Sequence, residues 1–292
     1  MNVARKLYPD GHWLRSQDPE KALKAYMDQQ SKAYSRVKNA YINDLIGNLQ
    51  GKHFLDYGCG GGLFVVHAAT SGAAEVVGVD AEEGALSTAR HFARQEGVEH
   101  LCRFVQSEAF PKLVRGPRFD VILIKDVLEH VEDDEGLLSA ARNALVPGGR
   151  LVVSTQNSLS LNYLIEGTYR RVVQRNKHWY GWDETHLRFY TPMSLGRKLN
   201  NAGFDSLSWR SIYLIPYKLP GLRLSQKEFL RLDALSWIDR VLGRVFPYNL
   251  IGWNVIVRAK VSPMMPHRID LGDPVEERLA ATPLMVTRQA LR

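Results

Sequence analysis

Two acidic residues and a glycine-rich turn are the features of this sequence that point most clearly to chemistry. The segment FLDYGCGGG, residues 54–62, is an apolar run that carries Asp56 and continues into glycines at 58, 60, 61 and 62. Glycine tolerates positive φ and lets the backbone come close to a ligand. The next apolar run, VVGVD, ends at Asp80, whose carboxylate can accept hydrogen bonds from both hydroxyls of a ribose. A glycine turn between a strand and a helix, with an acid ending the next strand, indicates a nucleotide site.

The position of Asp56 narrows the kind of nucleotide. A dinucleotide fingerprint holds a pyrophosphate against the glycines at a helix N-terminus, and a carboxylate just before them would repel that group. A positively charged ligand group suits the position better. S-adenosylmethionine has one, an ammonium beside a sulfonium, and carries no phosphate. The residues therefore favour S-adenosylmethionine as the cofactor.

Five segments, in this order and spacing, resemble the motifs of the class I S-adenosylmethionine-dependent methyltransferases, in particular their type 11/12 group. They are LDYGCGGG, VVGVD, CRFVQSEAF, FDVILIKDVLEHV and LVPGGRLVVST. The match is close over residues 50–155 and loose over residues 185–260. It implies the fold, the cofactor and a methyl-transfer enzyme, but says little about the acceptor.

The resemblance also implies roles for individual residues at the cofactor. The methionine end would be lined by Asp56, Gly58, Cys59 and Gly60, with Cys59 as a small filler of the turn, and Lys125 would face the methionine moiety through its backbone. Asp80 would hold the ribose. Ala81 and Ala109 would flank the adenine, with Glu108 at its amino group. The family usually has an aspartate where Glu108 stands, so the glutamate needs an adjusted backbone there.

Histidines are the candidate catalytic residues. Methyl transfer is an in-line displacement that depends mainly on alignment and exclusion of water, and a hydroxyl acceptor also benefits from a general base. His186 precedes a predicted helix, and His130 follows the fourth strand; for both, a structural role stays open. His178, amid tryptophans and a tyrosine, is a candidate acceptor contact. The nine histidines show no spacing such as His-x-x-x-His, so we predict no metal requirement.

Alternating strand and helix patterns must position these residues. Strands are predicted at 52–57, 75–79, 102–106, 119–124 and 150–154, with helices near 62–70, 83–96 and 132–145, and later strands near 205–211 and 252–260. Alternation of this kind predicts an α/β fold with a Rossmann-like, doubly wound sheet of seven strands. Ligands of such sheets bind at the carboxyl ends of the strands.

The domain organisation follows from the same patterns. We expect an N-terminal helical cover over residues 1–50, a methyltransferase domain over 51–260 and a poorly ordered tail over 261–292. Within the domain we expect a lid, residues 156–190, and an apolar cap helix, residues 225–246, that either walls the acceptor pocket or packs on the sheet. Thr191 followed by Pro192 predicts the start of a helix.

The lid carries the strongest hint about the acceptor. Residues 159–182 combine an apolar stripe with arginines at 170, 171 and 175 and a lysine at 177. Such a segment is either a lid helix with a solvated basic face or an interfacial helix that dips into an anionic membrane and collects a lipid-like acceptor. It is similar, in position rather than in motif, to the basic and aromatic insert of the ubiquinone-pathway O-methyltransferases.

The charge distribution supports an anionic acceptor or surface. The chain carries a net charge of +7, yet residues 51–158 carry 10 basic and 15 acidic groups, and residues 191–260 carry 11 and 4. The cofactor region is thus acidic, as suits a cationic ligand, whereas the acceptor side is basic. The scarcity of cysteine and of long apolar runs predicts a cytoplasmic protein, with peripheral membrane contact as an open alternative.

Methylation of oxygen in a small-molecule or lipid-like acceptor is the favoured function. Alternatives are a C- or N-methyltransferase acting on a natural product or sugar, an RNA methyltransferase, and a non-catalytic S-adenosylmethionine-binding scaffold. The sequence shows no added RNA-binding module and no Asn-Pro-Pro-Tyr-like motif after the fourth strand, which argues against nucleic acid as the partner.

Overall fold

The computed structural model describes residues 12–107, 118–177, 179, 183, 185–215 and 235–262. Within them, seven strands form one sheet in the order β3-β2-β1-β4-β5-β7-β6. The strands are β1 His53–Tyr57, β2 Glu75–Asp80, β3 Cys102–Gln106, β4 Phe119–Lys125, β5 Leu145–Gln156, β6 Phe204–Ile212 and β7 Asn254–Val261. β1 to β5 are parallel, and β7 runs antiparallel to both its neighbours. The predicted doubly wound α/β fold is confirmed.

Helices cover both faces of this sheet. They are α1 Pro19–Gln30, α2 Ala33–Ile46, α3 Leu63–Thr70, α4 Glu83–Gln95, α5 Asp134–Ala144, α6 Pro192–Asn201 and α7 Ser236–Leu242. Alternate strand residues belong to two separate core clusters: Leu55 packs with residues of α5 and α6, whereas Phe54 packs with residues of α2 and α3. Because successive strand residues point to opposite faces, the two clusters lie on opposite sides of the sheet.

The central strands are apolar without interruption because both faces are covered. Val121, Ile122, Leu123 and Ile124 of β4 are all fully buried. A half-solvated strand would instead alternate apolar and polar residues. The sheet therefore fixes the ends of β1, β2 and β4 rigidly at one edge, which we call the carboxyl edge.

The start of α6 follows the predicted capping pattern. Thr191 is the N-cap: its side chain accepts from the Ser194 backbone N–H, the Ser194 hydroxyl accepts from the Thr191 N–H, and Pro192 occupies the first turn. This reciprocal arrangement satisfies two backbone donors that a helix end leaves open. It also fixes the point at which the chain returns from the lid.

Two predicted boundaries are wrong. β5 begins at Leu145 rather than near 150, since the turn of residues 146–149 continues the strand, and α5 begins later than expected because Asp133 caps it, accepting from the Gly136 N–H at 2.8 Å. Both differences reflect local hydrogen bonding that apolar periodicity does not encode.

The lid and the cap helix depart further from expectation. The lid contains two π-helical turns, Tyr163–Gly167 and Tyr169–Val173, rather than a regular helix. The cap helix is described only from residue 235, and α7 ends at Leu242, so Val245 and Phe246 lie beyond its end and are exposed. Phe246 instead lines a surface cavity together with residues of α6, among them Met193 and Gly196. From residue 263 onward, the tail expected at residues 261–292 lies outside the described residues.

Across the described part of the chain, no helix is both long and apolar enough to span a bilayer.

Candidate active site

The glycine turn after β1 is tightly packed from two sides. Gly58 has φ +81°, and a Cβ there would lie 2.3 Å from a methyl carbon of Val127. A Cβ at Gly61 would lie 2.7 Å from the ring of Tyr26. The backbone N–H groups of Gly58 and Cys59 donate to the Val79 carbonyl at 2.8 and 2.9 Å. The turn therefore has no room for side chains at these two glycines, and β2 holds it in place.

Asp56 lies at the head of this turn, between Gly78 of β2 and Leu123 of β4. Its side chain is buried, and Oδ1 has no hydrogen-bond partner in the described structure. Burial raises the pKa of Asp56 to about 7, the nearby charge of Asp80 adds to the rise, and the Lys125 ammonium opposes it. A buried carboxylate oxygen without a partner fits the ammonium group of the expected cofactor.

Asp80 is already held in a fixed orientation at the end of β2. One of its oxygens accepts from the Gly60 N–H at 2.8 Å and the other from the Glu82 N–H at 3.0 Å. A carboxylate oxygen can accept more than one hydrogen bond, so ribose hydroxyls can still bind here. The acid thus links the glycine turn to the predicted ribose position.

Of the remaining predicted cofactor residues, some are described by the structure and others are not. Cys59 is buried beside Gly78, and burial raises the pKa of its thiol, as suits a small filler. Ala81 follows β2 and its carbonyl accepts from Gln106 Nε2 at 3.0 Å, which ties the ends of β2 and β3 together. Glu108 and Ala109 lie outside the described residues.

Tyr26 of α1 is a site residue that the sequence did not identify. Its buried ring lies against Gly61, and the ring of Trp13 lies 4.9 Å from it, centroid to centroid. Burial raises the pKa of Tyr26, so its hydroxyl stays neutral. The N-terminal cover therefore closes over the glycine turn and shields Asp56 from water. The only sequence signal was an aromatic side chain among polar residues.

At the end of β4, a buried ion pair joins the sheet to α2. Asp126 has φ +54° and pairs with Lys38, which is almost fully buried. The Asp126 carboxylate also accepts from Ser154 Oγ at 2.9 Å and Asn254 Nδ2 at 3.2 Å. Burial alone would raise the pKa of Asp126, but the ammonium groups of Lys38 and Lys125 hold it well below its usual range. Lys125 itself lies 3.8 Å from this carboxylate.

Glu129 is a second buried acid beside this pair. Its Oε2 accepts from the Thr155 hydroxyl at 2.8 Å, and Oε1 has no partner in the described part of the chain. Burial raises the pKa of Glu129 to about 8, and the negative charge of Asp126 adds to the shift. Such strongly shifted acids are typical of functional sites.

The structure brings His130 and His186 together, although they are far apart in sequence. Their rings lie 4.8 Å apart, centroid to centroid, and His130 Nδ1 lies 2.9 Å from the Thr185 hydroxyl. With Glu129 they place one carboxylate oxygen and two ring nitrogens within 4.8 Å of one another. These three ligand atoms could hold a divalent cation. Histidine spacing within one segment cannot identify this cluster, because His186 lies far from Glu129 and His130 in sequence. The expectation of no metal requirement stays a prediction.

An aromatic cluster adjoins the two histidines. Phe189 lies 5.5 Å from the His186 ring and packs edge-on against Trp253, also at 5.5 Å. The Arg171 guanidinium lies 4.5 Å above the Tyr163 ring. The members of the cluster are Tyr34, Tyr163, Trp179, Phe189, Tyr213 and Trp253. His178, the predicted acceptor contact, lies outside the described residues.

Comparison with known proteins shows the family of the chain. A family model described as a methyltransferase domain matches residues 29–208. The chain is 31% identical over 198 residues to a ubiquinone biosynthesis O-methyltransferase of Idiomarina loihiensis, covering 66% of this chain and 76% of the relative. A protein of the same name from Ruegeria pomeroyi is 37% identical over 168 residues, covering 57% of this chain and 65% of the relative.

Solved structures share the fold. An S-adenosylmethionine-dependent methyltransferase from Mesorhizobium loti superposes with a TM-score of 0.52 at 19% identity, covering 79% of this chain and 99% of that one. Magnesium protoporphyrin IX methyltransferase from Synechocystis gives a TM-score of 0.53 at 16% identity, covering 79% and 86%. At these identities the likeness concerns the fold.

The raised pKa of Asp56 predicts that cofactor binding depends on pH. The free acid has a pKa of about 7, and only its ionised form can pair with an ammonium group. Lowering the pH from 7.5 to 5.5 should therefore weaken S-adenosylmethionine binding about 25-fold if the bound state holds the carboxylate ionised. Titration calorimetry across this range measures the effect.

The variants for this test are Asp56→Asn and Asp28→Asn. The first should bind more weakly at pH 7.5 and lose the pH dependence, whereas Asp28, exposed on α1, should leave both unchanged. An affinity of the wild-type protein that stays constant from pH 7.5 to 5.5 would remove Asp56 from the ammonium site.

Proposed function

Because this chain belongs to the class I S-adenosylmethionine-dependent methyltransferases, we propose that it methylates a hydroxyl group on a small, lipid-like and aromatic acceptor. One observation carries the proposal: two histidines lie in contact distance of each other beside an aromatic cluster, next to the strand end that bears the cofactor residues. The names of the relatives, ubiquinone biosynthesis O-methyltransferases, support oxygen as the methylated atom.

The cofactor half of the site provides binding and orientation. When bound, S-adenosylmethionine supplies a methyl group on a sulfonium, whose sulfur departs as a neutral thioether. Asp56 would bind its ammonium and Asp80 its ribose, both on rigid strand ends. Tyr26 and α1 cover the glycine turn and exclude water. Alignment of this kind can lower the barrier by roughly 7–11 kcal/mol.

The acceptor half provides a base and a place for an aromatic ring. His186 lies between His130 and Phe189, so an acceptor stacked on the aromatic cluster could present its hydroxyl to the imidazole. The imidazole then takes the hydroxyl proton as the oxygen attacks. Glu129 lies beside both rings, and its ionised form would stabilise the positive charge that the imidazole acquires; that charge in turn favours ionisation of Glu129, whose pKa is raised to about 8 in the free protein. A positioned base of this kind typically contributes about 10²–10⁴ in rate.

The base role predicts a selective loss on changing His186. His186→Ala should slow methyl transfer by about 10²–10⁴-fold while leaving the affinity for S-adenosylmethionine unchanged. The measurement is transfer of radiolabelled methyl to a bacterial lipid extract, with calorimetry for the cofactor. His100→Ala, at an exposed position just before the amino end of β3 and thus away from the carboxyl edge, is the matched control and should behave as wild type.

Two outcomes would contradict this role. An unchanged rate of methyl transfer in His186→Ala would show that His186 has only a structural role. Activity that is lost in chelator and restored by Mg²⁺, together with a lower metal content in His186→Ala, would make the histidine a metal ligand instead. Cofactor binding without transfer to any extract would favour the scaffold alternative.

We also propose that the lid contacts an anionic membrane. Several of its apolar side chains are exposed, and the most exposed of them are Val172 and Val173, at 69% and 64%. Exposed apolar residues beside basic ones are typical of interfacial helices. Two of the basic residues bond within the lid: Arg171 donates to the Gly167 carbonyl at 3.0 Å and to the Tyr163 hydroxyl at 2.5 Å, and Arg170 donates to Gln174 Oε1 at 2.9 Å. Arg175 and Lys177 are exposed.

Placing charge on the apolar side should abolish membrane contact. The double variant Val172→Asp/Val173→Asp should no longer co-sediment with phosphatidylglycerol vesicles, because each carboxylate would have to enter the interface. Binding of the wild type should fall as salt is added. Met193→Asp changes a comparably exposed apolar residue, 62% exposed, on α6 and should bind as wild type. If the wild-type protein does not co-sediment with these vesicles, the proposed membrane contact is refuted.

A further inference from the structure

A buried acid outside the catalytic cluster collects three donors from one later part of the chain. Asp134, the first residue of α5, is only 3% exposed. Its Oδ2 accepts from the Tyr190 hydroxyl at 2.6 Å, and its Oδ1 pairs with Arg188 at 3.0 Å and Lys198 at 3.1 Å. These donors hold the pKa of Asp134 low against the effect of burial.

Two of those donors belong to the return segment, residues 185–190, which brings the chain back from the lid. The segment is bound to the turn before α5 at further points: the Leu187 backbone N–H donates to the Glu129 carbonyl at 2.8 Å, and the Arg188 guanidinium donates to the Glu132 carbonyl at 2.9 Å. The Tyr190 hydroxyl also reaches the Leu128 carbonyl at 3.2 Å. The return segment is therefore fastened along the turn that carries His130.

His186 lies at the start of this fastened stretch. Local bonds hold its backbone: the His186 N–H donates to the Asp183 carbonyl at 3.3 Å, and the Thr185 hydroxyl lies 2.9 Å from His130 Nδ1. The bonds of Leu187, Arg188 and Tyr190 add to this hold, since they bring the next residues against the turn of residues 128–134. The separation of the His130 and His186 rings depends on both sets of bonds.

We propose that Asp134 is the positioning residue that sets His186 against His130, and thereby places the base for methyl transfer. The inference deepens the proposed function and rests on it in so far as His186 acts on the acceptor. An ionised acid is needed because all three partners are donors, two of them cationic. An asparagine amide offers one oxygen and no charge, so it would satisfy some of these donors and oppose the others.

The test separates positioning from mere stability. In Asp134→Asn we expect kcat for methyl transfer to fall about 10–100-fold, as small displacements of catalytic groups do, with the calorimetric affinity for S-adenosylmethionine unchanged. Glu135→Gln is the matched control, because Glu135 lies in the same helical turn and also pairs with Lys198, but is exposed. It should keep the wild-type kcat.

A spectroscopic readout reports the geometry without catalysis. The two rings, tilted by 52° with centroids 4.8 Å apart, should give a nuclear Overhauser effect between ring protons of His130 and His186 in histidine-labelled protein. The peaks are assigned by their disappearance in the single His→Ala variants. Asp134→Asn should weaken or abolish this effect, and Glu135→Gln should retain it. If Asp134→Asn does not fold, Arg188→Gln removes the ion pair with Asp134 and the bond to the Glu132 carbonyl at a partly exposed position, and it should move both readouts in the same direction.

The outcomes distinguish the two proposals. A normal rate in His186→Ala, with the nuclear Overhauser effect abolished in Asp134→Asn, would contradict the base role but support the positioning. A slow His186→Ala, with normal kcat and an unchanged nuclear Overhauser effect in Asp134→Asn and Arg188→Gln, would overturn the positioning role.

Discussion

The burial of carboxylates at the carboxyl edge of the sheet is the constraint on which the rest of this structure depends. Removing an ionised carboxylate from water costs several kcal/mol unless partners compensate. Asp126 is compensated by Lys38, so α2 must dock on the end of β4. Asp56 and Glu129 each keep an oxygen without a partner among the described residues, and burial raises their pKa to about 7 and about 8. Asp56 and Glu129 are therefore two buried acids whose ionised forms a cationic ligand or a charged imidazole can stabilise.

The helices before the sheet are consequently part of the site. α1 brings Tyr26 over the glycine turn, and α2 brings Lys38 to Asp126 and Tyr34 to the aromatic cluster. On the far side, the return segment carries His186 against His130. The proposed cofactor and acceptor halves would meet where β1 and β4 are neighbours, which is the crevice at which open α/β sheets bind ligands. The glycine turn, tightly packed against Val127 and Tyr26, is the wall that both halves share.

The sequence predicted the features that depend on local pattern. Continuous apolar runs located the strands of the parallel part, and Thr191 with Pro192 located the start of α6. The cofactor roles of Asp56 and Asp80 stay predictions. The contacts made over long sequence separations were missed: Lys38 with Asp126, Tyr26 with Gly61, and His130 with His186. Apolar periodicity also could not show that α7 stops before Val245. The adenine contacts expected at Glu108 and Ala109 stay predictions, because those residues lie outside the described structure.

The central claim is that the carboxyl edge joins an S-adenosylmethionine site to a base that serves a hydroxyl acceptor. The most direct test is mass spectrometry of a bacterial lipid extract incubated with the protein and S-adenosylmethionine bearing a deuterated methyl group. The account predicts a product with the label on oxygen, formed by the wild type and absent with Asp80→Ala, which removes the ribose contact. No labelled product with the wild type, or a label on carbon or nitrogen, would contradict it.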